Sequence, residues 1–215
     1  MFDPHLLWLY TGAAALLILT PGPDTFLVAA TSAADGARAG VLASLGVFVG
    51  CLFHILLVAV GVSALIAATP WAFGAIKIAG AIYLVWIGFQ ALRSAWYGHD
   101  GEAAHAALRE RASGTALFLR GALTNALNPK VAVFFIAFLP QFVDPARGYV
   151  AVQFIVLGLI FNVPGTLYLM AVALISGRAT SALRRRPWVR RALDALTGLF
   201  FIGLAAHLAR TQAKG

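Results

Sequence analysis

Apolar residues in this chain collect into six long segments, about Leu6–Ala30, Ala39–Ala68, Trp71–Ala95, Thr115–Phe142, Tyr149–Ile175 and Ala192–Leu208. Most exceed the roughly 20 residues that carry a helix across a bilayer, so tilted or kinked spans are expected. The second segment has no formal charge, the third holds Lys77, and the sixth is the shortest and begins near Asp194. Two segments are interrupted by residues that do not suit an apolar helix. In the first stands Pro21-Gly22-Pro23-Asp24, and in the fourth Asn125-Ala-Leu-Asn128-Pro129-Lys130. Each interior proline removes a backbone donor and clashes with the turn before it, at about 3 kcal/mol. A membrane carboxylate adds about 2.5–3.5 kcal/mol. Broken helices bearing ionisable groups persist at membrane depth only where they face protein or a water-filled cavity. The pattern predicts an all-α integral membrane protein of six transmembrane helices, with the first and fourth broken and facing each other. Asn162-Val-Pro164-Gly165 predicts a further break in the fifth.

The chain also repeats itself. Asp35-Gly-Ala-Arg38 follows the first span and Asp144-Pro-Ala-Arg147 the fourth. Ile87-Gly88 and Ile202-Gly203 lie late in the third and sixth spans, and Leu19-Thr20 and Leu123-Thr124 precede the two breaks. The shared order divides the single domain, 1–215, into a repeat of about 1–95, a linker of about 96–113 and a repeat of about 114–210. Three spans per repeat make the second inverted relative to the first. The connections after spans one, three and five hold eleven arginines, from Arg38 to Arg191, against Arg147, Arg210 and Lys214 on the other side. Basic loops stay in the cytoplasm, which places Tyr97–Ser113 there and both termini outside.

Composition agrees. The chain has 215 residues, 61% hydrophobic and 11% charged, where a soluble domain carries about 25% charge. Its mean hydropathy is +0.86. The formal net charge of +8 sits in arginines between apolar runs, as in topogenic loops, and does not argue for nucleic acid. Arg184, Arg185, Arg186, Arg190 and Arg191 read as such a loop. Cys51 is the only cysteine, so no disulfide forms within the chain. The first segment lacks a basic leader and a small-residue cleavage site, and is expected to be a retained span. The polar stretch Tyr97–Ser113, with His99 and His105, is expected to be a solvated linker and not a metal site. Trp71, Trp96, Tyr97, Tyr149 and Trp188 fall near span ends, as interfacial aromatics do.

Asp24 is the foremost candidate for chemistry. It can cap the helix that restarts after Pro23, by accepting backbone N–H groups, or serve function, or do both. Pro21 and Pro23 free carbonyls one turn earlier, and Gly22 lets a ligand approach. With the Thr20 hydroxyl these make a polar pocket suited to an ammonium group or a proton. Lys130 lies too deep for an easy snorkel and is expected to pair with Asp24 or with a substrate carboxylate. Asn125 and Asn128 share one helix face with spacing i and i+3. Lys77 either snorkels to the interface or lines the site. Asn162 either adds polar lining or bridges helices, and His54 is expected to bond a neighbouring helix. Gly36, Gly40, Gly46 and Gly50 form two small-xxx-small pairs, read as close helix packing.

Leu19-Thr20-Pro21-Gly22-Pro23-Asp24 resembles the signature of the bacterial LysE/RhtB amino-acid exporters. Gly80-Ala-Ile-Tyr83-Leu84, Gly121-Ala-Leu-Thr124-Asn125 leading to Asn128-Pro129-Lys130, and Phe138-Leu-Pro140-Gln141-Phe142 are similar to that family in the same order. The resemblance implies a six-span exporter of amino acids or related metabolites in the bacterial inner membrane, driven by the proton-motive force. It gives Asp24 and Asn128-Pro129-Lys130 as the central polar elements, with Lys77 as a frequent companion. Cys51 is a departure, because many members carry an acidic residue after the equivalent of Gly50. The implied partners are the bilayer, a small-molecule substrate and protons; a homodimer is an allowed assembly, and no cofactor is expected. The alternative is a divalent-cation exporter of the same broader fold, which would draw on Asp24, His54 and Cys51. No nucleophile–base arrangement and no ATP-binding loop stands out, so neither an enzyme nor an ATP-driven pump is expected.

Overall fold

The computed structural model describes residues 2–64 and 112–176, with isolated helical positions at Ile78, Ile82, Phe89, Arg93, Trp96, Ala195 and Leu199. The third and sixth predicted spans and the linker fall almost wholly outside the described residues, and Lys77 falls outside them. Among the described residues there are helices and turns and no strand.

Helix α1, Pro4–Leu19, starts where Asp3 accepts the amides of His5 and Leu6 at 2.8 and 3.3 Å. Pro4 occupies a first-turn position, where its missing donor costs nothing. The helix stops because residue 21 has no N–H for the Leu17 carbonyl and residue 23 none for Leu19. Thr20 closes the end by turning its hydroxyl back onto Leu16 O, 2.8 Å away. The chain restarts as α2, Pro23–Asp35, with its axis bent by 45° from α1. Gly36, at φ +90°, makes the turn into α3, Ala37–Leu57, which continues through a π-helical turn, Val58–Val62. A positive φ of this kind favours glycine.

The second described half repeats this plan. Helix α4, Gly114–Ala126, is capped by Ser113 and ends before Pro129. Helix α5, Pro129–Val133, continues as a π turn, Phe134–Phe138, and a 3₁₀ turn, Leu139–Phe142. The bend between α4 and the α5 segment is 46°. After a short 3₁₀ turn, Pro145–Arg147, helix α6 runs Val150–Ser176. Each half therefore offers one bent apolar pair followed by one long apolar helix. By length and composition α3 with its π turn and α6 can each cross a membrane, and so can each bent pair if taken as one span. These four correspond to the first, second, fourth and fifth predicted spans. The break predicted at Pro164 is a correction: α6 continues through it. One proline deprives one carbonyl of its donor, and a membrane helix tolerates that single loss; at Pro129 the break is instead completed by Asn128, whose side chain caps the restarted helix.

Packing sets the halves against each other. A Cβ on Gly46 would lie 1.9 Å from Phe118 O, one on Gly50 2.4 Å from Ala122 O, and one on Gly121 2.1 Å from Ala43 O. Backbones of α3 and α4 thus touch where glycine alone fits, as small residues permit in membrane helix pairs. Gly46 and Gly50 fulfil the small-xxx-small reading. Gly40 packs on Ser32 and Ala173 instead, and Gly36 serves the turn. Tyr10, fully buried, donates to Leu157 O at 2.7 Å and stacks among Phe134, Phe138 and Phe142 with ring centroids 5.2–6.1 Å away. Gln153 ties the connection before α6, bonding Asp144 N and O and Gly148 O at 2.7–3.0 Å. Leu56, Val60, Leu127 and Leu167 are exposed, as lipid-facing side chains are. Trp96 and Tyr149 are exposed too, consistent with interfacial aromatics; Trp71, Tyr97 and Trp188 lie outside the described residues.

Candidate functional site

The two helix breaks meet, and each is completed by the opposite half. Pro23-Asp24 and Pro129-Lys130 occupy the same two positions of their restarted helices: proline first, an ionisable residue second. Lys130 Nζ reaches back to the end of α1 and donates to Leu17 O at 2.9 Å and Thr20 O at 2.6 Å. Leu17 O is the carbonyl that Pro21 deprives of its amide, and a helix C-terminus carries about half a negative charge. The ammonium therefore supplies both the missing donor and the compensating charge.

Asp24 makes the reciprocal contact. Its Oδ2 accepts Asn125 Nδ2 at 2.8 Å and Asn128 Nδ2 at 2.9 Å. Asn128 also uses Oδ1 to cap α5 at Lys130 N, 3.0 Å, which fixes the orientation of its amide. Asp24 lies in the first turn of α2, where the helix dipole favours a carboxylate. The capping role is not observed: α2 has no side-chain cap bond, and the carboxylate turns across to α4 and α5. Asp24, one of the two partners expected for Lys130, forms no ion pair with it among the described contacts; the ion pair seen there is Arg147–Asp144, at 3.0 Å. Each charge is satisfied by the other half's helix break instead, because backbone carbonyls and asparagine amides orphaned there need partners more than two separately solvated charges need each other.

Between the breaks lies a cavity of about 60 Å³, enough for more than one water. Thr20, Gly22, Asp24, Asn125, Asn128, Lys130 and Asn162 all border it. Pro21, Pro23 and Pro129 shape it by terminating helices. Asn162 does both things proposed for it: it lines the cavity and donates to Phe48 O at 3.1 Å. Two buried acceptors at this site, Asp24 Oδ1 and Asn125 Oδ1, have no hydrogen-bond partner among the described residues. Buried polar atoms are nearly always paired, so two orphans together mark a place for a ligand's donors.

The remaining wall is apolar. Val47, Cys51, Phe161 and Leu169 border the same cavity, with Tyr168 hydrogen-bonded to Thr25. Apart from Cys51, singled out in the sequence only as a departure and a possible metal ligand, sequence reasoning missed these. In α6, Phe161, Asn162, Gly165, Tyr168 and Leu169 fall at helical spacing on one face, and that spacing around Asn162 was the available signal. His54 bonds a neighbouring helix as expected, with Nε2 at 3.0 Å from Asn125 O. Among the described residues no three His, Cys, Asp or Glu side chains converge as metal ligands.

Known proteins place this arrangement. An uncharacterized membrane protein of Pseudomonas aeruginosa is 36% identical over 202 residues, covering 94% of each chain. A leucine efflux protein of Klebsiella pneumoniae is 35% identical over 204 residues, 95% of this chain and 94% of that one. A leucine efflux protein of Salmonella typhimurium is 31% identical over 206 residues, 96% of this chain and 95% of that one. No solved structure matches. The family described as LysE type translocator matches residues 15–212, and this chain, a membrane transporter and not an enzyme, belongs to it.

Proposed function

We propose that this protein exports aliphatic amino acids, leucine foremost, across the bacterial inner membrane in exchange for protons. The observation that carries the reading is the cavity at the crossed helix breaks. It combines an incompletely paired carboxylate, an ammonium held on backbone carbonyls, and an apolar wall. An amino acid brings one charge of each sign. Its ammonium suits Asp24 Oδ1 and Asn125 Oδ1, its carboxylate suits Lys130, and an aliphatic side chain suits Val47, Cys51, Phe161 and Leu169. The names of the leucine efflux relatives support that side chain.

The coupling follows from charge. A carboxylate at membrane depth is costly unless paired or protonated. Asp24 binds substrate ammonium in one orientation of the transporter and a proton in the other, so the two compete for one group and exchange. The equal bends of 45° and 46°, and the matching Pro-Asp and Pro-Lys positions, support two inverted repeats within six spans. Rocking of one repeat against the other would open the shared cavity to alternate sides. The arginine distribution supports termini on the outer face. The divalent-cation reading lacks a comparable observation among the described residues.

Cells preloaded with leucine-containing dipeptides test this reading. Expression of the protein is expected to raise the rate at which free leucine leaves and to lower its internal level. Equal efflux with and without the protein, at verified expression, rules the reading out.

A further inference from the structure

Pro129 removes the amide that would close the helical turn onto the Asn125 carbonyl. Two donors replace it: Asn128 N–H at 2.9 Å, and His54 Nε2 at 3.0 Å from the facing helix α3. A carbonyl oxygen only accepts, so His54 Nε2 carries the hydrogen. The ring has little freedom. It is 4% exposed, stacked on Phe135 at 6.0 Å and 22°, and edge-on to Phe53 at 5.7 Å and 64°. Asn125 is thus held at both ends, its backbone by His54 and its side chain by Asp24.

We propose that His54 is a positioning residue for substrate recognition. It locks the broken end of α4 so that Asn125 Nδ2 meets Asp24 Oδ2, which leaves Asp24 Oδ1 and Asn125 Oδ1 for the substrate ammonium. This rests on the reading of Asp24 as the ammonium site. A proton-relay role is a different matter: the Nε2 hydrogen points at a main-chain carbonyl, and a carbonyl passes no proton on. Asp24, Cys51, Lys130 and Tyr168 are the titratable side chains bordering this cavity, and none bonds His54 among the described hydrogen bonds.

The test is radiolabelled leucine transport by purified protein in proteoliposomes. His54→Phe keeps the ring and removes the donor, and is expected to raise KM about tenfold, the size of one lost buried hydrogen bond, with Vmax and the pH profile little changed. His54→Gln carries a non-titrating amide to the same carbonyl and is expected to bring KM back to within about threefold of wild type. His54→Asn, one carbon shorter, should behave like His54→Phe, and serves where the latter does not reach the membrane. In an Asn125→Ala background, where the side chain no longer meets Asp24, His54→Phe should leave KM unchanged, because coupled residues are non-additive. A wild-type KM in both His54→Phe and His54→Asn, or a His54→Gln protein as impaired as His54→Phe with a flattened pH profile, overturns the proposal. Failure of the underlying reading looks different: Asp24→Asn would then transport leucine with unchanged KM and pH dependence, whatever the His54 variants do.

Discussion

Lys130→Met removes the ammonium that holds the end of α1 while keeping nearly the same length and volume. Wild-type Lys130 makes two charge-assisted bonds, at 2.9 Å to Leu17 O and 2.6 Å to Thr20 O. Hydrogen bonds to charged groups contribute about 1.5–3 kcal/mol each in water-soluble proteins, and cross-helix bonds in membranes average about 0.6 with a maximum near 1.7. Two bonds therefore contribute about 1–3 kcal/mol to keeping the breaks together. Leu17 O has no helical donor to fall back on, because residue 21 is proline, which places the loss toward the upper end. Cys51 provides a native reporter. It is the only cysteine, is 2% exposed, and borders the cavity between the breaks. A maleimide reaches it only when the cavity opens, so its labelling rate follows the population of open protein. A loss of about 1–3 kcal/mol corresponds to labelling faster by about 5- to 150-fold, since each 1.4 kcal/mol is a factor of ten. The assay is timed maleimide labelling in detergent or native membranes, with quenching and mass readout. A Lys130→Met protein that is folded and labels within twofold of wild type refutes the cross-bracing of the two halves.

Gly46→Val should destabilise the protein by about 3 kcal/mol or more and lower its thermal midpoint in detergent, because its Cβ would lie 1.9 Å from the Phe118 carbonyl and backbone cannot step aside as a side chain can; an unchanged midpoint contradicts the α3–α4 contact. For topology, alkaline phosphatase fused to the C-terminus should be active and green fluorescent protein fused there dark, as the eleven-to-three bias in basic residues requires. The opposite pattern overturns the assignment.

The sequence made the helix breaks legible because proline acts locally. Pro21, Pro23 and Pro129 delete particular hydrogen bonds whatever surrounds them, and α1 and α4 end, and α2 and α5 begin, where those deletions fall. It also pointed to Asp24, Asn125, Asn128 and Lys130, because polar groups in apolar runs need a reason to be there. The partners were another matter. Charge suggested Asp24 with Lys130, yet each bonds to groups at the opposite helix break, and that depends on how the two described halves dock. Pro164 misled: α6 continues through it, whereas at Pro129 the preceding Asn128 is extended and caps the restarted helix through its side chain. Val47, Phe161 and Leu169 were hidden for a simpler reason. An apolar side chain facing a cavity has the same sequence signature as one facing the core or lipid.

The central claim is that Asp24 exchanges leucine ammonium for a proton at the crossed breaks. Proteoliposomes loaded with radiolabelled leucine and diluted into acidic buffer test it most directly, with wild-type and Asp24→Asn protein reconstituted in equal amount. Wild-type vesicles should release leucine faster under the inward proton gradient than without it, an uncoupler should abolish the difference, and Asp24→Asn should show no gradient stimulation. Release no faster than from protein-free vesicles, or full gradient stimulation in Asp24→Asn, would contradict the account.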